Sequence, residues 1–436
     1  MQKILILFVL LLLAPTLSAQ DWVPAPADTL QGTVYLMNGT VHVGNGKVIP
    51  NGVVGIENGK ITLVADATTI RLNLQNAKTI NCYGKQIYPG LITPNSTLGL
   101  IEIGAVRATN DLAEVGDFTP NVRSLIAYNA ESVVIPTVRS NGILLAQSRP
   151  FDGTISGSSS IMQLDAWNWE DAVVKSDDGM WMQWPSYLSR SGWWAEPGEL
   201  KPNEKFDGEV QKISQYFAEA QAYCKTAPPV EPNLVLEAMC DMFSKNQKVY
   251  IAANHAKEII SAVNFAQKFG LDMVLVGGRD SYLLTDLLKE YDIPVMLFKT
   301  HQLPYLDDND VAQSYKLPKI LQDAGILYCI TAENDSGEQR NLPFTAGKAV
   351  GYGLTEEQAL AAITANTAKI LGIDADYGTL ESGKSATIIV SEGDVLDVLG
   401  NNIVHAFIDG REISLDNKQK ELYHKYMKKY DLPPKE

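Results

Sequence analysis

The chain holds five histidines, His42, His255, His301, His405 and His424, and these are its natural groups for proton transfer near neutral pH or for binding a borderline metal. A catalytic zinc needs three or more protein ligands on separate elements, so that its bound water ionises near neutral pH. His255 and His301 stand in the middle of the chain. Acids such as Glu102, Glu114 and Asp165 would have to converge on them to build such a site. Taken singly, His255 reads as a helix-start residue bonded to its neighbours and His301 as a loop residue.

Other chemistry is thinly marked. Ser156-Gly-Ser-Ser-Ser160 has no Gly-x-Ser-x-Gly elbow and reads as a flexible or turn-forming loop. Gly277-Gly-Arg-Asp280 lacks the spacing of a phosphate loop and reads as a close backbone approach at a strand end. Two polar clusters stand out: Glu102, Arg107, Asp111, Glu114 and Asp117, with Arg123 and Arg139 beyond them, and Thr300 to Tyr305 followed by Asp307 to Asp310. They line a functional rim or form a salt-bridged framework for long loops, and both readings stand. Arg340 could reach an anion. Trp167 and Trp169 offer flat faces on which a ring or sugar could stack, packing being the plainer role for most tryptophans of that region.

The elements that must position these residues alternate. Val249 to Ala253 is an apolar strand, Ala256 to Phe269 a helix ended by Gly270, Met273 to Val276 a strand and Ser281 to Tyr291 a helix. A strand from Pro294, a helix from Leu317 to Ala324 closed by Gly325, and a strand from Ile326 to Ile330 follow. Such alternation predicts an α/β fold with a parallel sheet and right-handed crossovers, and its length favours a (β/α)8 barrel whose site lies at the C-terminal strand ends. Before it, short strands broken by Asn38-Gly39, Gly44-Asn-Gly46 and Asn58-Gly59 predict hairpins, and Asp409-Gly410 predicts another near the C-terminus. Residues 150 to 205 carry six of the seven tryptophans and read as a long ordered excursion over the barrel mouth.

Bulk properties narrow the class. A chain of 436 residues, 45% hydrophobic, can bury a large core, and a net charge of −15 argues against nucleic-acid or anionic-membrane partners. Lys3, an apolar run from Ile4 to Ala14 and Leu17-Ser-Ala19 read as a secretory signal peptide, too short to span a membrane. The expected location is periplasmic or secreted. The four cysteines, Cys82, Cys224, Cys240 and Cys329, have no metal-ligand spacing; buried thiols are the preferred reading, with a disulfide such as Cys224 to Cys240 the alternative.

Tyr88-Pro-Gly-Leu-Ile-Thr-Pro-Asn95-Ser-Thr97 reads as a short buried strand running into a loop. It resembles the first barrel strand of the amidohydrolase superfamily, usually Pro-Gly-Leu/Phe-Ile-Asp-x-His-x-His-x-Gly, with Asn95 and Thr97 in place of the two metal-binding histidines. Gly378-Thr-Leu-Glu-Ser-Gly-Lys-Ser-Ala-Thr-Ile-Ile-Val390 and Val404-His-Ala-Phe-Ile-Asp-Gly410 are similar to the same family's closing strands, nearest to imidazolonepropionase-like proteins. After the signal peptide over 1–19, the resemblance implies a (β/α)8 TIM-like barrel over 88–375 and a small composite β-sandwich domain from 20–87 and 376–415. A C-terminal helix or tail over 416–436 completes it.

It also implies hydrolysis of C–N bonds in cyclic or peptide-like amides by a metal-bound hydroxide. Aligned on the family, the fifth-strand ligand falls on Ala252, the sixth on Val276 or Gly277, and the eighth on Asp335. The expectation is a hydrolase with Asp335 as general base, assisted by His301 or His255, with Asn95, Thr97, Arg340, Trp167 and Trp169 around a small-molecule substrate. No standard metal site is expected, and a single divalent metal such as zinc enters only if a site is rebuilt around Asp335. The alternative is a non-catalytic binding or partner protein of the periplasm, a pseudoenzyme. Neither a nucleic-acid partner nor a membrane span is expected, and a homo-oligomer is left open.

Overall fold

The structure is a computed structural model and describes residues 23–193, 195–225, 231–306, 308–332 and 337–433. The signal-peptide segment, Trp194, Asp307 and Asp335 lie outside these residues. Among the described residues no helix is long and apolar enough to cross a membrane.

Alternating apolar residues make β1 (Thr33–His42), β2 (Val48–Glu57), β3 (Lys60–Asp66), β4 (Lys78–Asn81) and β5 (Gln86–Pro89). The turn between β2 and β3 forms at Asn58 and Gly59, both with positive φ, as their pairing predicts. Asn38-Gly39 behaves otherwise. It lies inside β1 as a bulge, shifting the register against β2 rather than closing a hairpin.

The barrel sheet begins with β6 (Leu91–Ser96), β7 (Ile143–Ser148), β8 (Ile155–Gln163) and β9 (Val173–Gln183). A hairpin of β10 (Leu188–Trp193) and β11 (Glu196–Pro202) follows, and then β12 (Lys248–Ala253), β13 (Met273–Gly277), β14 (Val295–Leu297) and β15 (Tyr328–Ile330). The order is β15-β14-β13-β12-β9-β8-β7-β6, a nearly closed eight-stranded sheet. Ala362 and Ile363 bridge the seam: their carbonyls accept from Ile330 N at 3.1 Å and Ile92 N at 3.0 Å.

One strand departs from simple βα alternation. β8 runs antiparallel to both β7 and β9, and all its residues are buried. The Ser156–Ser160 run is therefore the body of a barrel strand, not a flexible loop. Its hydroxyls are used: Ser158 Oγ accepts from Gln247 Nε2 at 2.9 Å and Ser160 Oγ from Asp177 N at 3.0 Å. The expected excursion over 150–205 is corrected likewise. Its first part builds β8 and β9, with Trp181 and Trp184 in the core, and the excursion proper shrinks to the β10–β11 hairpin.

Strand alternation divides the barrel residues between two cores. Ile92, Leu145, Ile161, Trp181, Tyr250, Val274, Met296 and Cys329 point inward and pack on one another. Val249, Ile251, Met273 and Leu275 point outward into a larger core that includes Ala262, Val263 and Ala266 of the helix Ala256–Phe269. That helix ends, as predicted, at Gly270 with φ 69.

The chain closes with β16 (Ile388–Ser391), β17 (Ile403–Ile408) and β18 (Arg411–Glu412), which join β1–β5 in one sheet of order β18-β17-β16-β5-β1-β2-β3, with β4 on β1. Both ends of the chain thus share a single sheet. Asp165 sits where they meet the barrel, fully buried. It accepts from Arg139 at 2.6 Å, from Arg411 at 2.9 Å and from Ala27 N at 2.9 Å. Cys224 and Cys240 form a disulfide, and Cys82 and Cys329 are the buried free thiols.

Candidate ligand site at the barrel mouth

The parallel strands direct Asn95, Arg149, Gln183, Asn254 and Arg279 to one end of the barrel, because each stands at or just past the C-terminal tip of its strand. Asn95 takes a left-handed backbone, φ 53, which asparagine tolerates better than most residues. Its amide N–H donates to Gln147 Oε1 at 3.1 Å, and its Oδ1 accepts from Arg149 Nε at 2.6 Å. Its Nδ2 is buried with no hydrogen-bond partner among the described residues.

Arg149 also stacks. Its guanidinium carbon lies 4.4 Å from the Trp181 ring centroid and 4.2 Å from that of Phe151. Burial disfavours its charge and lowers its pKa, yet a guanidinium remains protonated at any working pH. Below it, Trp181 stacks on Tyr250 at 4.7 Å, and Tyr250 OH donates to Asp178 Oδ2 at 2.8 Å. Asp178 also accepts from Gln147 at 2.8 Å and Ser159 at 2.7 Å. Burial raises the Asp178 pKa against these three donors.

Three small cavities line up across the mouth. One of about 140 Å³ is bounded by Arg149, Ser156, Trp181, Gln183 and Ala252. The next, about 80 Å³, shares Gln183 and adds Asn254, His255 and Arg279. A third of about 160 Å³ shares Asn254 and Arg279 and adds Phe298 and Tyr305. A larger groove of about 910 Å³ runs past Ile326 and Leu327, at the N-terminal end of β15 and away from the tips. Size alone would choose that groove; the convergence of polar groups chooses the mouth.

The expected residues fall in different places. His255 caps the helix Ala256–Phe269, its Nδ1 accepting from Lys257 N at 3.3 Å, while Glu258 completes a capping box. His301 Nδ1 pairs with Tyr315 OH at 2.8 Å on the surface. Thr97 is buried. Arg340 is exposed, and its carbonyl accepts from Asn141, which precedes β7 and so lies at the opposite end of the barrel. Because β8 runs backwards, Trp167 and Trp169 follow its far end and also stand away from the mouth, Trp167 66% exposed and Trp169 packed on the core. Asp165 is taken by its arginines there. Of the expected residues that the structure describes, Asn95 joins the mouth network and His255 borders one of its cavities.

The first polar cluster is largely framework. Arg123 pairs with Asp177, Asp117 with Thr154 and Lys212, and Glu102 holds Asn129 and Val133 N.

The family's metal does not fit the described residues. Ala252 and Val276 point into the apolar barrel interior, Asn95 is bonded to a guanidinium, and among the described residues no three His, Cys, Asp or Glu side chains cluster. Arg149, Trp181 and Arg279 were not singled out as site residues from sequence. Their signal was a cation or aromatic residue at a strand tip otherwise apolar.

Residues 200–413 match the amidohydrolase family model. Imidazolonepropionases of Bacillus thuringiensis (strain Al Hakam) and Bacillus cereus (strain B4264) are each 49% identical over 51 residues, and these stretches cover 12% of this chain and 12% of either relative. An amidohydrolase structure from Thermotoga maritima MSB8 superposes with TM-score 0.75 at 23% identity, covering 87% of this chain and 99% of that one. A prolidase complexed with n-methylphosphonate-l-proline gives TM-score 0.53 at 15% identity, over 88% of this chain and all, 100%, of that one. At these identities the structures speak for the fold, an α/β barrel of TIM type. By the sequence match, residues 200–413 are similar to the amidohydrolase family.

Proposed function

We propose that this amidohydrolase-family chain keeps the barrel mouth as a binding site for a small molecule and has given up metal-based hydrolysis of C–N bonds. The observation that carries the reading is the Arg149 guanidinium bonded to Asn95 at 2.6 Å. A fixed positive charge against the position that supplies the family's first ligand repels a divalent cation, while Trp181 and Phe151 pin it there. Metal analysis of the purified protein, with calorimetric titration and turnover assays on dipeptide and imidazolone substrates, tests it. Stoichiometric metal that is lost in Asp335→Asn, together with turnover, would sink the proposal.

A second reading is a hydrolase with Asp335 as general base, helped by His301 or His255 and by a zinc held in a rebuilt site. It is favoured by the placement of Asp335 inside the matched segment 200–413. The same assays separate the two.

Export to the periplasm or beyond belongs to this proposal. The leader-like wording of residues 1–19 and the Cys224–Cys240 disulfide support it, since such bonds persist in oxidising compartments. Fractionation of expressing cells tests it, and mature protein found with the leader uncleaved would count against it. We read the sheet shared by both chain ends as the family's small composite domain.

A further inference from the structure

Arg279 stands two residues past the tip of β13, after Gly277 and Gly278, whose φ values of 87 and 58 carry the chain sharply over the strand end. A Cβ on Gly277 would lie 2.5 Å from Asn254 Oδ1, so the turn that places Arg279 depends on glycine there. The guanidinium stacks on Tyr305, 3.9 Å from its centroid. Stacking engages the face of the group. The N–H donors lie in its plane and point away from the ring, and none has a hydrogen-bond acceptor among the described residues.

The carboxylates nearest to it are already committed. Glu258 accepts from Tyr187 N at 2.7 Å, His255 N at 2.9 Å and Asn254 N at 3.0 Å, and Asp280 accepts from Ala256 N at 3.0 Å. Burial lowers the pKa of Arg279, and the charge of Asp280 only partly offsets it. A cation in this setting, half-buried and unpaired, is poised for an anion from outside.

The cavity beside it sets the rest of that anion. Leu297, Phe298, Leu303 and Pro304 line the space of about 160 Å³ beside Arg279, which the polar side chains of Gln302, Asn309 and Gln313 also border. An apolar cavity of ~150 Å³ is large enough to hold benzene. The space therefore has the volume for a ring-sized body attached to the charged group, with an apolar face offered by Phe298 and Leu297.

We propose that Arg279 and Tyr305 form a carboxylate site that takes an organic acid with a ring-sized apolar body, its carboxylate bidentate on the guanidinium edge and its body against Phe298 and Leu303. The site rests on the reading of the mouth as a binding surface and names the chemistry at one end of it.

The test is calorimetric titration of the full chain with benzoate and phenylacetate, and with acetate and inorganic phosphate, at fixed ionic strength. Saturable binding of the two aromatic acids, with acetate and phosphate weaker, is expected. Arg279→Gln should weaken it by about tenfold or more, which corresponds to one charge-assisted hydrogen bond. Arg279→Lys, which keeps the charge without the fork, should fall between the two, and it serves as the second variant if the glutamine form unfolds. Absence of saturable binding to the wild type, equal binding by Arg279→Gln, or preference for phosphate over both aromatic acids would overturn the proposal. Loss of binding in Arg149→Met but not in Arg279→Gln would overturn it too, while leaving the mouth as a binding site.

Discussion

Arg149 Nε donates to Asn95 Oδ1 at 2.6 Å, tying the tip of β7 to the tip of β6. Replacing the arginine leaves a buried amide oxygen without its donor and opens space over Trp181. Arg149→Met should cost about 1–3 kcal/mol of stability, the range for orphaning a buried polar group. Urea unfolding followed by circular dichroism measures it, and an unchanged midpoint would mean that the bond is idle.

Asp165 answers a different question, because it serves no ligand. Arg139 and Asp165 are almost wholly buried, and Arg411 joins them from β18. Asp165→Ala removes the carboxylate that, among the described residues, pairs with both guanidiniums, and breaking a buried pair from one side costs about 3–5 kcal/mol. The chemical denaturation midpoint should fall accordingly, and Arg139→Met combined with Asp165→Ala should recover part of the loss. A double variant no more stable than the single one would show that the burden lies elsewhere.

His42 gives a pH dependence with a definite sign. It stacks on Tyr88 at 4.4 Å and bonds to Glu357 and Gln86. Burial opposes its charge, but the hydrogen bonds to Glu357 and Gln86 and the charges of Glu357 and Asp394 prevail, raising its pKa above the ordinary 6.5. The folded state therefore favours the protonated ring. Its contribution to stability is complete below pH 6.5 and is lost as pH rises through the higher folded pKa. Melting temperatures taken across that window should decline in the wild type more than in His42→Gln. Parallel curves would refute the assignment.

Local grammar was readable and distant pairing was not. The Gly270 cap, the Asn58-Gly59 turn and the strands around Val249 and Met273 follow from neighbours a few residues apart. The Ser156–Ser160 run reads as a loop because serine and glycine are turn formers, and it is pairing with the distant strands from Ile143 and Val173 that makes it a strand. Its direction could not be read either, and that direction is what sends Trp167 and Trp169 to the wrong end of the barrel. The Asn95–Arg149 bond joins residues 54 positions apart and leaves no spacing signal. The wording Asn95-Ser-Thr97 is legible in the sequence; the cation beside Asn95 is not.

The reversed course of β8 has a kinetic consequence. Because β7, β8 and β9 follow one another as an antiparallel meander, they can pair with only short loops to close, whereas the barrel seam waits for Ala362 and Ile363 from far along the chain. The meander should act as the nucleus on which the remaining strands assemble. In pulse-labelled hydrogen exchange, the amides of the meander should gain protection before Ile92 and Ile330, and simultaneous protection would point instead to a single concerted closure.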